Sequence, residues 1–209
     1  MARSDYPGAQ PYLPEQLSQP ALTEAVQGCR GCDLYENATQ AVFGAGGESA
    51  RLMLVGEQPG DVEDRTGRPF VGPAGRLLNE ALVAAGIDRS EAYVTNAVKH
   101  FRFRSDTGKR RIHQGPAQWH IAACQPWVLA ELDFVRPEGV VLLGSTAGKS
   151  FFGSKFRVGE QRGQRVDLPV RPDVWSLATI HPSAILRAEN RDELFEGFVA
   201  DLRTAAQLL

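Results

Sequence analysis

Four short apolar runs place the strongest limit on how this chain can fold. They are RLMLVG at 51–56, AYVTNAV at 92–98, GVVLLG at 139–144 and VWSLATI at 174–180. Each run is continuous rather than alternating, which is typical of strands buried on both faces, and helical stretches separate them. The pattern predicts an α/β fold with three layers, α/β/α, around a central, mostly parallel four-stranded sheet.

Four helices are predicted around these strands. The first follows Pro73 and ends near Gly86, with one apolar face formed by Leu77, Leu78, Ala81, Leu82 and Ala85. A second covers about 116–133, and a third follows Gly144. The fourth contains Leu194, Phe195, Phe198, Val199 and Leu202.

Length and composition indicate one globular domain. A chain of 209 residues with 43% hydrophobic residues can bury a substantial core. No apolar run is long enough to span a membrane, and the Pro-rich start lacks the features of a secretory signal. We therefore expect a flexible leader over 1–20, one domain over 21–209, a cytoplasmic location and, with nothing to indicate an oligomer, a monomer.

Polar and flexible residues follow the ends of three predicted strands. GEQPGD (56–61) follows the first strand, Asn96 ends the second, and HPS (181–183) follows the fourth. Open α/β sheets bind ligands beyond the carboxyl ends of their strands. Glu57, Gln58, Asn96 and His181 are therefore predicted to line one pocket.

The stretch GSTAGKS (144–150) resembles a phosphate-binding loop but has one residue too few between its first Gly and Gly-Lys. Nucleoside triphosphate hydrolysis is therefore not predicted. We expect Ser145 or Thr146 to cap the following helix, whose N-terminus could hold a phosphate of another molecule.

Three cysteines, Cys29, Cys32 and Cys124, are an odd number for a set of disulfides. The two-residue gap in CRGC places two thiolates at one metal centre, which favours a metal site without specifying the metal. His100 and His120 are candidates for a fourth ligand, since imidazole replaces thiolate on iron or zinc. The alternative is a chance pair of cysteines and a buried helical Cys124.

The segment GKRRIHQ (108–114) belongs to a locally basic region of a chain whose formal net charge is -2. Between Lys99 and His113 there are six Lys or Arg residues and one acid, Asp106. A dense basic segment in a near-neutral chain indicates contact with a polyanion at one place, and the alternative is an ordinary solvated loop.

Four motifs in order resemble the uracil-DNA glycosylase superfamily, especially its iron–sulfur branch, family 4. They are GEQPG (56–60), GRPFVGPAG (67–75), YVTNAVK (93–99) and HPSAILR (181–187), and the resemblance spans about 28–204. Two departures, His100 in place of a cluster cysteine and KRRIH (109–113) in an extended loop, resemble the UdgX type, which becomes covalently attached to uracil-containing DNA.

The resemblance implies a uracil-binding set. Phe70 matches the aromatic residue that stacks on the flipped base. The amide of Asn96 fits the N3–H and O4 of uracil and mismatches the amine of cytosine. Gly60 and Asp61 complete the set.

It also implies a catalytic set. His181 matches the histidine that donates a hydrogen bond to uracil O2 as negative charge develops there. Glu57 and Gln58 face the sugar, where Glu57 orients a water, stabilises the cation or accepts a proton from an imidazole. His113 is the implied nucleophile, which attacks the sugar C1′ after uracil leaves and forms a histidine–sugar bond.

The implied cofactor is a [4Fe–4S] cluster held by Cys29, Cys32, Cys124 and His100, with His120 as the other candidate. The implied partner is uracil-containing DNA, with a single strand preferred. Phosphate contacts are predicted for Lys109, Arg110, Arg111, Ser183 and Arg187.

Two other functions compete with a covalent enzyme. One is a conventional glycosylase that turns over with a Glu57-oriented water, while His113 only assists. The other is a non-catalytic nucleic-acid-binding module with a structural metal.

Overall fold

The computed structural model describes residues 5–105 and 110–209. Its strands are β1 (Leu52–Gly56), β2 (Ala92–Asn96), β3 (Phe103–Ser105), β4 (Arg111–His113), β5 (Gly139–Leu143), β6 (Arg165–Leu168) and β7 (Arg171–Thr179). The main sheet has the order β2-β1-β5-β7-β6. Its first four strands are parallel, which confirms the predicted α/β fold with a mostly parallel sheet.

The sheet has one strand more than predicted. Strand β6 pairs antiparallel with β7 at the edge of the sheet. Three of its four residues are exposed, so RVDL forms no continuous apolar run that could have identified it.

Helices cover both faces of the main sheet. The helices are α1 (Gln19–Gln27), α2 (Asp61–Thr66), α3 (Pro73–Ala85), α4 (Gln118–Val135), α5 (Ser145–Phe152), α6 (Val158–Gln161), α7 (Pro182–Arg187) and α8 (Arg191–Gln207). Leu52 and Leu54 belong to the core cluster that includes α3 and α8, whereas Met53 and Val55 belong to the one that includes α4 and α5. Alternation of side chains along each buried strand therefore builds two cores.

No helix in the described part of the chain combines the length and apolar character needed to cross a membrane.

Part of the expected N-terminal leader is packed against the domain. Gly8 donates a backbone hydrogen bond to Gly31 O (3.0 Å), and Ala9 donates one to Ala123 O (2.8 Å). Ala9 is also buried in the cluster that contains the three cysteines. Residues 8–13 are therefore part of the folded unit, which differs from the expectation of a flexible segment over 1–20.

Helix α5 is not capped as predicted. Its N-cap is Gly144, whose positive φ of 88° is a conformation that glycine adopts without strain, and the cap makes no side-chain hydrogen bond. The hydroxyl of Thr146 instead donates to Glu57 Oε2 at 2.6 Å. The prediction that Ser145 or Thr146 caps this helix is wrong, and Thr146 extends the polar site at the ends of the strands.

Candidate active site

A cavity of about 470 Å³ opens beyond the carboxyl ends of β1 and β2. It brings together residues from segments that are far apart in the sequence. The predicted site residues that line it are Glu57, Gln58, Gly60, Asp61, Phe70, Asn96, His113, His181, Ser183 and Arg187.

One wall of the cavity carries two rings. Phe70 has a left-handed backbone (φ 54°), which costs a residue with a side chain about 1–2 kcal/mol. Its ring lies near that of His181, with centroids 6.4 Å apart and planes 30° apart. Strain of this kind concentrates at functional sites, and here it accompanies an aromatic surface inside the cavity.

Asn96 ends β2 beside this wall, and its side chain is buried. A Cβ atom at Gly56 would lie 2.5 Å from Asn96 Oδ1 and 2.6 Å from Phe70 Cζ. The absence of a side chain at Gly56 therefore allows the amide and the aromatic ring to approach the same space from two elements.

The protonation of His181 follows from its contacts. Its Nδ1 accepts a hydrogen bond from the Ser183 backbone N–H (3.1 Å), so the neutral ring carries its proton on Nε2. Desolvation lowers the pKa of His181 to about 4, and His113 and Arg187 act in the same direction. His181 is thus a neutral hydrogen-bond donor in the cavity at physiological pH.

Glu63 is a site residue that the sequence analysis missed. Its buried carboxylate accepts hydrogen bonds from the backbone N–H groups of Gly60 (3.1 Å), Val71 (3.1 Å) and Gly72 (2.7 Å). It therefore ties the loop after β1 to the segment that carries Phe70. An acid three residues after Gly60, at the start of a helix, was the available signal.

The catalytic candidates meet at the opposite side of the cavity. His113 Nε2 lies 3.4 Å from Glu57 Oε1 and 3.0 Å from the side-chain nitrogen of Gln58. The Gln58 amide is oriented by Arg102, since its nitrogen donates to Arg102 O (3.1 Å) and its oxygen accepts from Arg102 N (3.2 Å). The amide nitrogen also donates to Gln114 O (3.0 Å), so both of its hydrogens have carbonyl acceptors close to His113 Nε2.

Desolvation lowers the pKa of His113 below its ordinary value of 6.5, and Arg187 lowers it further, while Glu57 opposes the shift. The side chain is nevertheless 48% exposed. His113 is therefore an accessible imidazole that favours the neutral, nucleophilic form.

Two short strands, β3 and β4, form a hairpin around the basic segment. Strand β4 pairs antiparallel with β3, with His113 opposite Phe103. Arg111 fastens this hairpin to α2, because its guanidinium binds the carboxylates of Asp61 and Asp64 and lies 4.9 Å from the ring centroid of Phe103. Pairing with β3 thus places His113 at the cavity.

These contacts differ from two of the predictions. Arg111 was expected to bind phosphate, but its side chain is only 13% exposed and its charge is paired with Asp61 and Asp64. Asp61 was expected to bind uracil, but although it lines the cavity its carboxylate binds Arg111 and also Arg65 (3.0 Å). Hydrogen bonds from Arg65 and Arg111 lower the pKa of Asp61 against the opposing effect of desolvation.

Two of the other predicted DNA contacts, Ser183 and Arg187, line the cavity. Arg110 and Arg187 are exposed, and Ser183 is half-buried. Lys109 lies outside the described residues. Arg187 therefore places an exposed cation at the cavity, which suits phosphate binding.

Known proteins are similar to this chain over most of its length. Residues 43–203 match the model of the Uracil DNA glycosylase superfamily. The chain belongs to the uracil-DNA glycosylase superfamily. It is 38% identical over 183 residues to a type-4 uracil-DNA glycosylase of Thermotoga maritima, covering 87% of this chain and 89% of that protein. A type-4 uracil-DNA glycosylase of Archaeoglobus fulgidus is 30% identical over 201 residues, covering 90% and 91% of the two chains.

The three cysteines of this uracil-DNA glycosylase superfamily member lie in one buried cluster away from the cavity. N–H groups contact two of the sulfurs, from Trp127 Nε1 to Cys29 (3.3 Å) and from Lys99 N to Cys124 (3.3 Å). Burial raises the pKa of Cys32 to about 11 and also raises that of Cys124. Buried sulfurs that accept N–H hydrogen bonds fit the ligands of an iron–sulfur cluster, whose metal would keep them deprotonated.

Across residues 5–105 and 110–209, no group of three or more His, Cys, Asp or Glu side chains is arranged to hold one ion.

The two candidate histidines differ in their contacts. In His120, Nδ1 accepts from Ala117 N (2.9 Å) and Nε2 contacts Asp33 (2.8 Å), so both ring nitrogens are engaged. His100 is buried, and desolvation lowers its pKa to about 4 against the opposing effect of Asp64, which keeps the imidazole neutral. These contacts argue against His120 as the fourth ligand.

Proposed function

We propose that this protein excises uracil from DNA and is then captured by its product through a covalent bond between His113 and the sugar C1′. The observation that carries the proposal is the placement of His113 Nε2, 3.4 Å from Glu57, in the cavity that also holds Phe70, Asn96 and His181. One site thus contains groups for base recognition and a nitrogen nucleophile.

Base recognition uses the wall away from the hairpin. An extruded uracil stacks on Phe70, and the Asn96 amide accepts from N3–H and donates to O4. His181 supplies its Nε2–H to O2, where negative charge grows as the glycosidic bond breaks. Because His181 is neutral and desolvated, this hydrogen bond strengthens mainly in the transition state.

In the covalent step, His113 replaces uracil on C1′ of the sugar. The C1′–N1 bond breaks, its electron pair leaves with uracil, and C1′ becomes an oxocarbenium centre. The Nε2 lone pair of His113 forms the new C1′–N bond, and the resulting imidazolium loses its Nδ1 proton to the uracil anion through solvent. Glu57 stabilises the cationic sugar and then the imidazolium beside it.

The DNA backbone lies along the exposed cations. Arg110 and Arg187 neutralise phosphates, and Ser183 donates to the backbone near His181. A single strand is the preferred form, because its nucleotides reach the cavity without the cost of unpairing.

Cys29, Cys32, Cys124 and His100 are proposed to hold a [4Fe–4S] cluster. Bound there, the cluster would cross-link the N-terminal segment, the residues after β2 and helix α4. Its role in this proposal is structural.

A denaturing gel with a uracil-containing single strand tests the proposal. We expect a slow-migrating protein–DNA species with the parent protein and none with His113→Ser. A matched strand with cytosine at the same position should give no adduct. Uracil release without any adduct would reject the covalent step, and absence of both would reject the proposed function.

A conventional hydrolase is the second candidate, and the contact between Thr146 and Glu57 favours it, because a fixed carboxylate can orient water. It predicts free abasic DNA in molar excess over enzyme. The covalent enzyme predicts uracil release that stops at one equivalent.

A further inference from the structure

A fully buried ion pair lies between the uracil cavity and the cysteine cluster. Lys99 and Glu131 both have 0% exposed side chains and form a salt bridge. Glu131 also accepts hydrogen bonds from Gly44 N (3.0 Å), Tyr93 Oη (3.0 Å) and Thr95 Oγ1 (2.8 Å). Buried charges are costly unless they are paired and hydrogen-bonded, and here both partners are.

Lys99 contacts both neighbouring sites. Its ammonium donates to the backbone oxygen of Asn96 (2.7 Å) and to Thr95 Oγ1 (2.7 Å). Its backbone N–H donates to Cys124 Sγ at 3.3 Å. A single residue therefore holds the end of β2, where Asn96 meets the cavity, and contacts a sulfur of the cysteine cluster.

The contact with Lys99 holds the backbone carbonyl of Asn96. Beyond β2 the next backbone groups bind the last residue of β1 and the residue after it, from Ala97 N to Gly56 O and from Val98 N to Glu57 O (both 3.0 Å). The Asn96 carbonyl is held by an ammonium that is itself fixed by Glu131. A charge-assisted hydrogen bond in a dry interior is short and directional. It therefore restrains the backbone carbonyl of Asn96 more tightly than a solvated contact would.

We propose that the Lys99–Glu131 pair is the positioning device that sets the affinity and selectivity for uracil, by holding Asn96 in place. The inference rests on the proposed function, since it takes Asn96 as the residue that recognises the base. Lys99 acts through Asn96 and is a positioning residue.

The test compares two variants of the same buried network, a double variant and a single one. The double variant Lys99→Met with Glu131→Gln removes the charges together, so that neither is left unpaired. The control, Tyr93→Phe, removes one hydrogen bond to Glu131 and leaves the contact with Asn96 in place. Both variants keep the proposed [4Fe–4S] ligands, and the absorbance of the cluster is checked in each protein.

Three quantities are measured: urea unfolding, single-turnover uracil release, and inhibition of that release by free uracil. We expect the double variant to require about tenfold more free uracil for inhibition and to release uracil about tenfold more slowly, as the loss of one charge-assisted hydrogen bond implies. Tyr93→Phe should lose stability but keep its inhibition by uracil within about twofold. Thr95→Val, which removes one acceptor of the ammonium, should act in the same direction as the double variant and serves if that variant does not fold.

The outcomes distinguish a failure of the positioning role from a failure of the proposed function. Unchanged inhibition by uracil in the double variant and in Thr95→Val, with an active parent protein, would overturn the positioning role alone. If Tyr93→Phe weakens inhibition by uracil as much as the double variant does, the ion pair contributes only to the stability of the fold. That result would also overturn the positioning role. A parent protein that releases no uracil overturns the proposed function, and the inference with it.

Discussion

Replacing Arg111 by Ala should separate uracil excision from covalent capture. Arg111 holds the hairpin that carries His113 by binding Asp64, whose side chain is 0% exposed, and Asp61, which is 41% exposed. Removing one partner of a buried pair costs about 3–5 kcal/mol, and the exposed pair adds little. Because Thr39 N still donates to Asp64, we take the lower figure, about 3 kcal/mol.

At 1.36 kcal/mol for each factor of ten, this loss lowers the docked population of His113, and with it the adduct rate, by up to about 10²-fold. Phe70, Asn96 and His181 lie on other elements, so uracil release should stay within about threefold of the parent rate.

The assay follows both products of one uracil-containing strand under enzyme excess. Adduct is measured on a denaturing gel, and abasic DNA is measured by alkaline cleavage. Arg110→Ala is the matched control, because Arg110 is exposed in the same segment and should change only the dependence on salt. An Arg111→Ala protein that forms adduct at the parent rate, or that loses uracil release to the same extent, would refute the role of the ion pairs in docking His113.

Three further predictions concern the cavity. His181→Ala should slow single-turnover uracil release by about 10²-fold, since losing one such donor costs about 3 kcal/mol; a loss below tenfold would contradict its role at O2. Arg187→Ala should reduce the slope of log affinity against log salt by about 1, measured by fluorescence anisotropy on a uracil-free strand, whereas Arg165→Ala on the edge strand should not. The adduct rate should persist as pH falls through 6.5 and decline only at lower pH, because the pKa of His113 is lowered; a half-maximum above 6.5 would count against this. The lowered pKa of His113 also affects stability. As pH falls below 6.5, the unfolded chain binds a proton at this residue before the folded protein does, so the free energy of unfolding decreases.

Local patterns were sufficient for most of the architecture. Continuous apolar runs identified β1, β2, β5 and β7, since a strand buried on both faces needs apolar side chains at every position. The exposed edge strand β6 carries no such requirement and was missed. A helix pattern after Pro73 likewise identified α3, because one of its faces packs in the core.

The residues of the candidate site were likewise predicted only in part. Glu57, Asn96 and His181 were found because each follows the end of a strand, and the topology of parallel sheets brings such ends together. Glu63 and Thr146 were not found, because a carboxylate on backbone N–H groups and a hydroxyl on Glu57 depend on loop conformations with no periodic signal.

The sequence by itself determined the parallel sheet, the pocket at its strand ends and the grouping of Cys29 and Cys32, because burial and short-range spacing are local properties. Only the tertiary structure decided the use of the charges. Arg111 and Arg110 carry the same charge and look alike in the sequence. In the structure Arg111 pairs with two carboxylates of α2 and holds the His113 hairpin against that helix, so its charge is not free for a phosphate. Lys99 is likewise a cation of the basic segment until folding buries it against Glu131. The partner of a charge is set by distance in space, which sequence separation does not report.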